Sequence, residues 1–312
     1  MPDVSDAILD QAWDVVSRHL PPTPLMPYAR AGLDVPVFLK YEGAQPIGAF
    51  KVRGALAALT AYREPVVTAS VGNHALGMAY AAGLLSVEAT IVVPETVAEV
   101  KLAALREYPV DLVLAGEDFD AAERHALELA AEGRRYVSAY NDPHVIAGQA
   151  TLATEVAAAL PEDCTVVVPA GGGGLLAGVA LGARRAARDI RVVGVEAAAC
   201  RALSTAVDKG RIVSVPMGET IADGLTGNLE AGSITPGVVR DHGVRMVAVP
   251  EPSIRRSVRE LVTTAGVVAE GASATALAAL RDGLVPVDRP VVLVVSGRNI
   301  GLDLLTEILG ER

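Results

Sequence analysis

This 312-residue chain has least of two residues that carry reactive chemistry: it holds two cysteines and four lysines. Cys164 and Cys200 cannot build a disulfide framework, and no C-x-x-C spacing offers a metal site. Such sparse cysteine usage points to a reducing compartment, the cytoplasm. Of the 27 basic residues, only Lys40, Lys51, Lys101 and Lys209 are lysines. Arginine stays charged and is a poor nucleophile, whereas a buried lysine can lose its proton, so amine chemistry has few candidates. Positive charge is also short, with 37 acidic residues giving a formal net charge of -10. That balance argues against nucleic acid or an anionic membrane as partner. The first ten residues, MPDVSDAILD, lack the basic start and apolar run of a secretory signal. Residues 165–183 are the most apolar stretch, but Pro169 and four glycines interrupt it, so no membrane span is expected.

What the chain does have is apolar content, 51% hydrophobic residues. A chain of this length folds as one large domain or two medium ones and buries roughly 75% of the surface its unfolded form exposes. Val-rich runs at 37–42, 66–70, 89–94, 111–114, 136–139, 165–170, 190–196, 246–250 and 291–296 read as strands buried on both faces. Residues 50–62, 97–108, 119–132, 145–160 and 175–187 carry Ala and Leu at helical spacing. Strand and helix in alternation predict an α/β fold with parallel sheets, whose ligands meet the carboxyl ends of the strands. Turn chemistry marks 141–144 as the best internal boundary.

Gly171, Gly172, Gly173 and Gly174 follow a predicted strand and open a predicted helix. Unpaired N–H groups and the helix dipole make such a start attractive to an anion, and glycine lets a phosphate approach. A tight strand-to-helix turn would also use glycines. Gly172, Gly174 and Ala177 fit G-x-G-x-x-G/A, and Glu196 ends the next strand where a ribose-binding acid would sit. Taken alone, this segment supports a nicotinamide-dependent oxidoreductase, but it leaves the first half of the chain unexplained.

That half places Lys51 at the start of a predicted helix, after a glycine and beside Phe50. A lysine near a helix N-terminus among apolar neighbours suits Schiff-base formation; on a solvated helix face it would be ordinary. Ser70, Gly72, Asn73 and His74 open the next helix, either as an anion pocket or as a plain cap.

Six pieces in order, GAFKVRGA, SVGNHALG, NDPHVIAGQAT, GGGGL, ETIADGL and VVSGRN, cover nearly the whole chain. Together they resemble the fold type II pyridoxal phosphate enzymes, in particular the serine/threonine dehydratase and serine racemase family. The resemblance implies two open twisted, mainly parallel sheets flanked by helices, with pyridoxal 5′-phosphate in the cleft between a large domain (1–63 and 143–312) and a small one (64–142). It implies Lys51 as Schiff-base lysine and α-proton base, Phe50 beside the cofactor ring, and Asn73 on its 3′-oxygen. Gly171, Gly172, Gly173 and Gly174 would hold the phosphate and Ser296 the pyridine nitrogen. Ser70, Gly72, Asn73 and His74 would bind the substrate carboxylate, with Tyr140 lining the pocket. The implied reaction is β-elimination from a small β-hydroxy amino acid of the serine, threonine or 3-hydroxyaspartate type, giving a 2-oxo acid and ammonia in a cytoplasmic homodimer.

Departures from the family pattern bear on the reaction. Ala49 stands where a serine is usual. Val71 occupies the position of the racemase serine and cannot move a proton, so elimination is expected over racemisation. A divalent cation would use Glu196 and the Cys200 carbonyl, but the third position is Ala202, which weakens the site; a strand-end surface acid is the other reading of Glu196. Arg298 replaces a glycine of the last motif, and Asp223 and Glu270 lie in matching segments as supporting or plain surface acids. The chain ends about 16 residues after Ser296, so no C-terminal regulatory domain is expected. A β-replacement enzyme and a catalytically silent amino-acid binder on the same fold remain as alternatives.

Overall fold

The computed structural model describes residues 4–311. They divide into two compact units, one of 22–50 and 150–311 and the other of 4–21 and 51–149. The expected small domain, 64–142, lies inside the second unit, which also takes in residues on either side of it.

In the first unit six strands form one sheet: β1 (Leu25–Pro27), β2 (Val37–Tyr41), β7 (Cys164–Pro169), β8 (Ile190–Ala197), β9 (Arg245–Val249) and β10 (Val291–Val295). Their order is β1-β2-β10-β7-β8-β9, parallel except for β1 against β2. The second unit holds β3 (Val66–Ala69), β4 (Ala89–Val93), β5 (Asp111–Leu114) and β6 (Arg135–Tyr136), in the all-parallel order β5-β4-β3-β6. These are the two mainly parallel sheets that the family resemblance implies. β4, β7 and β10 are buried along their whole length, which is why they read as unbroken apolar runs rather than alternating ones.

Twelve helices are described: α1 (Asp6–His19), α2 (Lys51–Ala61), α3 (Asn73–Leu85), α4 (Glu99–Arg106), α5 (Phe119–Ala131), α6 (Pro143–Ala159), α7 (Gly174–Arg184), α8 (Ala202–Lys209), α9 (Thr235–Asp241), α10 (Glu251–Glu260), α11 (Gly271–Arg281) and α12 (Leu302–Gly310). Caps set several starts. Ser5 Oγ accepts from Ile8 N to begin α1, and Asp118 Oδ1 accepts from Ala121 N at 2.8 Å to begin α5. Asp142 Oδ1 accepts from His144 N and Val145 N at the head of α6.

The main core of the first unit joins Leu39, Val167, Val195 and Leu293 of the sheet to Leu277 and Leu280 of α11 and Val258 of α10. A smaller core in the second unit sets Val67 and Val92 against Ala122 and Ala126 of α5. Glycine permits close helix packing at one place that matters for the site. A Cβ on Gly77 of α3 would lie 3.2 Å from the backbone carbonyl of Lys51.

Two differences from the sequence reading have physical causes. The sequence gives no sign of β1, because a three-residue strand that follows Pro24 and ends in Pro27 has no periodic signal. The strand expected at 136–139 stops at Tyr136, because side chains take over its polar groups. The Val137 carbonyl accepts from Thr68 Oγ1 at 2.8 Å, and Ser138 Oγ accepts from Tyr140 N and Asn141 N. Among the described residues, no helix is long and apolar enough to cross a membrane.

Candidate active site

In the first unit the candidate residues follow the carboxyl ends of β7, β8 and β10, where an open parallel sheet binds ligands. After β7, Gly171 to Gly173 turn the chain into α7. Two of these glycines have structural causes of their own. A Cβ on Gly171 would fall 2.8 Å from Leu225 Cα. Gly173 has φ +89°, and its Cβ would fall 2.9 Å from Thr235 Cβ. Thr235, fully buried, donates from Oγ1 to the Gly172 carbonyl at 2.7 Å and so braces the loop. No side chain caps α7, and the first intrahelical bond runs from Ala177 N to the Gly173 carbonyl. The amides that open α7 therefore carry the positive end of the helix dipole without an intrahelical acceptor. That arrangement fits a phosphate group.

Ser296 follows β10. It is buried, and its Oγ lies 3.0 Å from Ser273 Oγ on α11. The residues around it hold the 48–50 loop: Phe50 N donates to the Ser296 carbonyl at 3.0 Å, and Arg298 N to the Gly48 carbonyl at 2.8 Å. Ala49 and Gly297 form an isolated antiparallel bridge between these pairs. Asn299 Nδ2 adds a bond to the Ile47 carbonyl at 2.9 Å. Arg298 is exposed beyond this pairing. The loop that leads into Lys51 is thus stitched to the strand end that carries Ser296.

Glu196 is not a surface acid. It is 1% exposed, and its Oε1 accepts from Leu203 N and Ser204 N, capping α8. Burial raises its pKa above the ordinary carboxylate range, opposed by those bonds from Ser204 and Leu203 and by Arg201. The cap commits one oxygen that a ribose or a cation would need. Among the described residues no group of three or more His, Cys, Asp or Glu side chains is placed to hold a metal. Asp223 is exposed and closes its own turn through Gly224 N, while Glu270 is buried and its N–H donates to the Gly297 carbonyl.

In the second unit Lys51 opens α2, half-buried, and its Nζ donates to the Ala139 carbonyl at 2.8 Å. Tyr140, next to Ala139, is half-buried. After β3, Ser70 Oγ accepts from Gly72 N at 3.3 Å, and Gly72 precedes α3 with no side-chain cap. Asn73 is the first residue of α3, and Val71 is half-buried beside it. Lys51, the 70–74 turn and the 139–140 loop thus share the carboxyl-end side of this sheet.

His74 turns away from that turn. Its Nε2 lies 3.0 Å from Thr68 Oγ1 and 3.3 Å from the Val137 carbonyl. Burial, with the charge of Lys51 adding to it, lowers the His74 pKa to about 3. The ring is therefore neutral at pH 7 and brings no positive charge to a carboxylate.

Comparison with known proteins gives this arrangement its context. Residues 16–297 match the model of the family described as pyridoxal-phosphate dependent enzyme. The chain belongs to that family. An L-threonine ammonia-lyase of Geobacter sulfurreducens is 38% identical over 284 residues, which is 89% of this chain and 70% of that protein. The catabolic L-threonine dehydratase of Escherichia coli is 35% identical over 283 residues, 88% of this chain and 86% of its own length. Among solved structures, the processed threonine deaminase isoform 2 of Solanum lycopersicum superposes with TM-score 0.89 at 30% identity, covering 99% of this chain and 95% of its own. Maize serine racemase gives TM-score 0.89 at 28% identity, covering 96% and 95%. These similarities bear out the serine/threonine dehydratase resemblance, and the protein is a pyridoxal-phosphate-dependent lyase. The nicotinamide reading of the glycine loop is set aside.

Sequence reasoning missed Thr235 and Ser273. Neither lies in a recognisable motif, and each acts through one backbone or hydroxyl contact that only the fold creates.

Proposed function

We propose that the protein eliminates water from a small β-hydroxy amino acid, of the threonine, serine or 3-hydroxyaspartate type, and that the unsaturated amine released takes up water to give a 2-oxo acid and ammonia. In this reading the opening amides of α7 and the glycine loop hold the cofactor phosphate. Lys51 Nζ would anchor the cofactor, with Phe50 beside its ring, Asn73 toward its 3′-oxygen and Ser296 Oγ toward its pyridine nitrogen. Once bound, pyridoxal phosphate draws electrons from the α-carbon of an attached amino acid and so makes its α-hydrogen acidic. Lys51 Nζ would be the amine that anchors the cofactor and, when free, the base placed to take the α-proton. The 70–73 turn supplies Ser70 Oγ and the opening amides of α3 to the substrate carboxylate, with Tyr140 beside the pocket. His74 would support the turn from behind, with its Nε2 held by Thr68.

The observation that carries elimination is the partner of Ser296. Its Oγ meets another hydroxyl, Ser273, at 3.0 Å. A hydroxyl leaves the ring nitrogen unprotonated and the cofactor a modest electron sink, which suits a reaction whose β-hydroxyl departs promptly. Val71 has no proton to deliver to the opposite face of the α-carbon, which disfavours racemisation. We place the enzyme in the cytoplasm as a homodimer; both free cysteines, Cys164 and Cys200, are buried, and burial raises the Cys164 thiol to about 11. A divalent cation at Glu196 would be met by Oε2, because Oε1 caps α8.

The test is steady-state release of 2-oxo acid from L-threonine, L-serine and 3-hydroxyaspartate by the cofactor-loaded protein. Turnover of at least one of the three, lost in Lys51→Ala, is expected. Interconversion of D- and L-serine faster than pyruvate release would overturn the elimination reading.

A further inference from the structure

We propose that Tyr62 and Asp142 are positioning residues, a clamp between the far end of α2 and the 139–142 loop that fixes where the Lys51 amine rests. The proposal rests on the reading that Lys51 is the reacting amine.

Lys51 is the first residue of α2, and Tyr62 follows its last, with Tyr62 N still bonded to the Ala58 carbonyl at 3.0 Å. About 16 Å of helix separates them. Both reach the same short loop. Lys51 Nζ donates to the Ala139 carbonyl at 2.8 Å, and Tyr62 Oη donates to Asp142 Oδ2 at 2.5 Å. The helix that carries the amine is thus bonded at each end to one loop. That loop is stiff. Ser138 Oγ accepts from Tyr140 N and Asn141 N, and the Val137 carbonyl accepts from Thr68 Oγ1. A shift at Asp142 therefore passes to Ala139. Lysine has a flexible four-carbon stem, and a carbonyl held in one place gives its amine one place to rest.

The hydrogen bonds of the clamp are mutually consistent. The single Tyr62 hydroxyl proton goes to Asp142, and the same oxygen accepts from Arg135 Nη2 at 3.2 Å. Asp142 is 5% exposed, and its Oδ1 accepts from His144 N and Val145 N at the head of α6, which leaves Oδ2 for Tyr62. The Arg135 guanidinium lies 4.5 Å from the Tyr62 ring centre, and the His144 ring meets that ring edge-on at 5.1 Å. These contacts hold the phenol in one orientation. Burial, with the Asp142 charge adding to it, pushes the Tyr62 hydroxyl well above its ordinary range, so it stays a donor throughout an activity assay. A helix cap needs only Oδ1. The bond from Oδ2 to the tail of α2 is the part that capping does not explain.

The test exploits the scarcity of lysine. The cofactor-free protein is treated with trace acetic anhydride, and acetylation of Lys51 is read by mass spectrometry against exposed Lys101 in the same molecule; Lys40, 1% exposed, reports unfolding. The loaded enzyme then gives kcat and KM. Tyr62→Phe removes the hydroxyl and keeps the ring. It is expected to raise the Lys51 to Lys101 ratio about 3- to 10-fold and to lower kcat by a similar factor, with KM changed less than about twofold, the range of one partly buried hydrogen bond. Asp142→Asn keeps an oxygen for the cap and removes the carboxylate acceptor. It should move both quantities the same way, and it replaces Tyr62→Phe if Lys40 labelling shows that variant unfolded. The double variant should go no further than the larger single. Asp118→Ala, which removes the cap of α5 in the same unit, should lower the urea midpoint and move neither quantity. An unchanged ratio in the folded clamp variant, or an equal change in Asp118→Ala, would mean a structural role alone and would overturn the proposal. So would a raised ratio with wild-type kcat. Turnover kept in Lys51→Ala would instead remove the reading of Lys51, and the proposal with it.

Discussion

Lys51 Nζ donates a hydrogen bond to the carbonyl of Ala139, 2.8 Å away. This contact ties the start of α2 to the loop after β6. Of the other three lysines, Lys40 is 1% exposed and paired with Glu155. Lys101 and Lys209 are exposed. Lys51→Ala is therefore expected to abolish the visible band of bound pyridoxal phosphate and to lower 2-oxo acid release at least 10³-fold, as for loss of a nucleophile that also acts as base. Lys101→Ala should leave both unchanged. Absorbance and a coupled keto acid assay check the pair together.

Thr235 should matter for affinity and not for chemistry. Its Oγ1 fixes the Gly172 carbonyl from a fully buried position, and Ser233 Oγ lies 3.0 Å from it. Thr235→Val keeps the shape and removes the hydroxyl, leaving that carbonyl short of a donor. The expected cost is about 1 kcal/mol in cofactor binding, or roughly fivefold, with kcat kept at saturating pyridoxal phosphate. Thr235→Ser should restore affinity. A cofactor titration of the apoprotein followed by activity distinguishes this from general destabilisation, which would lower kcat at all concentrations.

Local signals made part of this site legible and hid the rest. Parallel strands buried on both faces leave unbroken Val runs, so β4, β7 and β10 could be read directly, and the residues after them named. The glycine loop was legible as a loop, but its cause was mixed. Gly171 and Gly173 answer to Leu225 and Thr235, which lie about 50 and 60 residues downstream and leave no trace in the local pattern. Glu196 illustrates the opposite case. At a strand end it reads as a ribose ligand, a cation ligand or a surface acid; burial removes the surface reading, and its Oε1 completes a helix start within the next eight residues. The inward turn of His74 depends on Thr68 and on the early end of β6, both set by pairing between strands far apart in the chain.

The buried polar cluster at β2 makes a stability prediction independent of the cofactor. Lys40 Nζ contacts Glu155 Oε2 and donates to the Thr23 carbonyl at 2.8 Å. Thr23 Oγ1 donates to Glu42 Oε1 at 2.6 Å, and Thr23 N to Glu155 Oε2 at 3.1 Å. Removing one charge leaves its partner buried and uncompensated, at about 3–5 kcal/mol. Lys40→Met should cost that much in urea unfolding. The double variant Lys40→Met with Glu155→Leu should recover most of it, because two apolar side chains need no partner. A double variant no better than the single would show that the bonds to Thr23, rather than the ion pair, dominate.

The neutral His74 makes the fold sensitive to acid, and the sign follows from linkage. The unfolded chain protonates its histidine near 6.5, whereas the folded chain holds His74 at about 3 because of burial and the nearby Lys51 charge. Between those values the unfolded state binds the proton and the folded state does not, so stability rises with pH across that window and is lost as pH falls through it. Above about 6.5 both states are neutral and the contribution is level. His74→Gln keeps a donor for Thr68 Oγ1 but cannot titrate. Wild type should therefore lose urea stability between pH 7 and pH 4.5 more steeply than His74→Gln, and the two slopes should agree above pH 7. Carboxylates common to both proteins contribute equally and cancel in the comparison. Parallel slopes over the whole range would mean that the buried ring accepts its proton in the folded state, and would return His74 to the list of charged groups available to a substrate carboxylate.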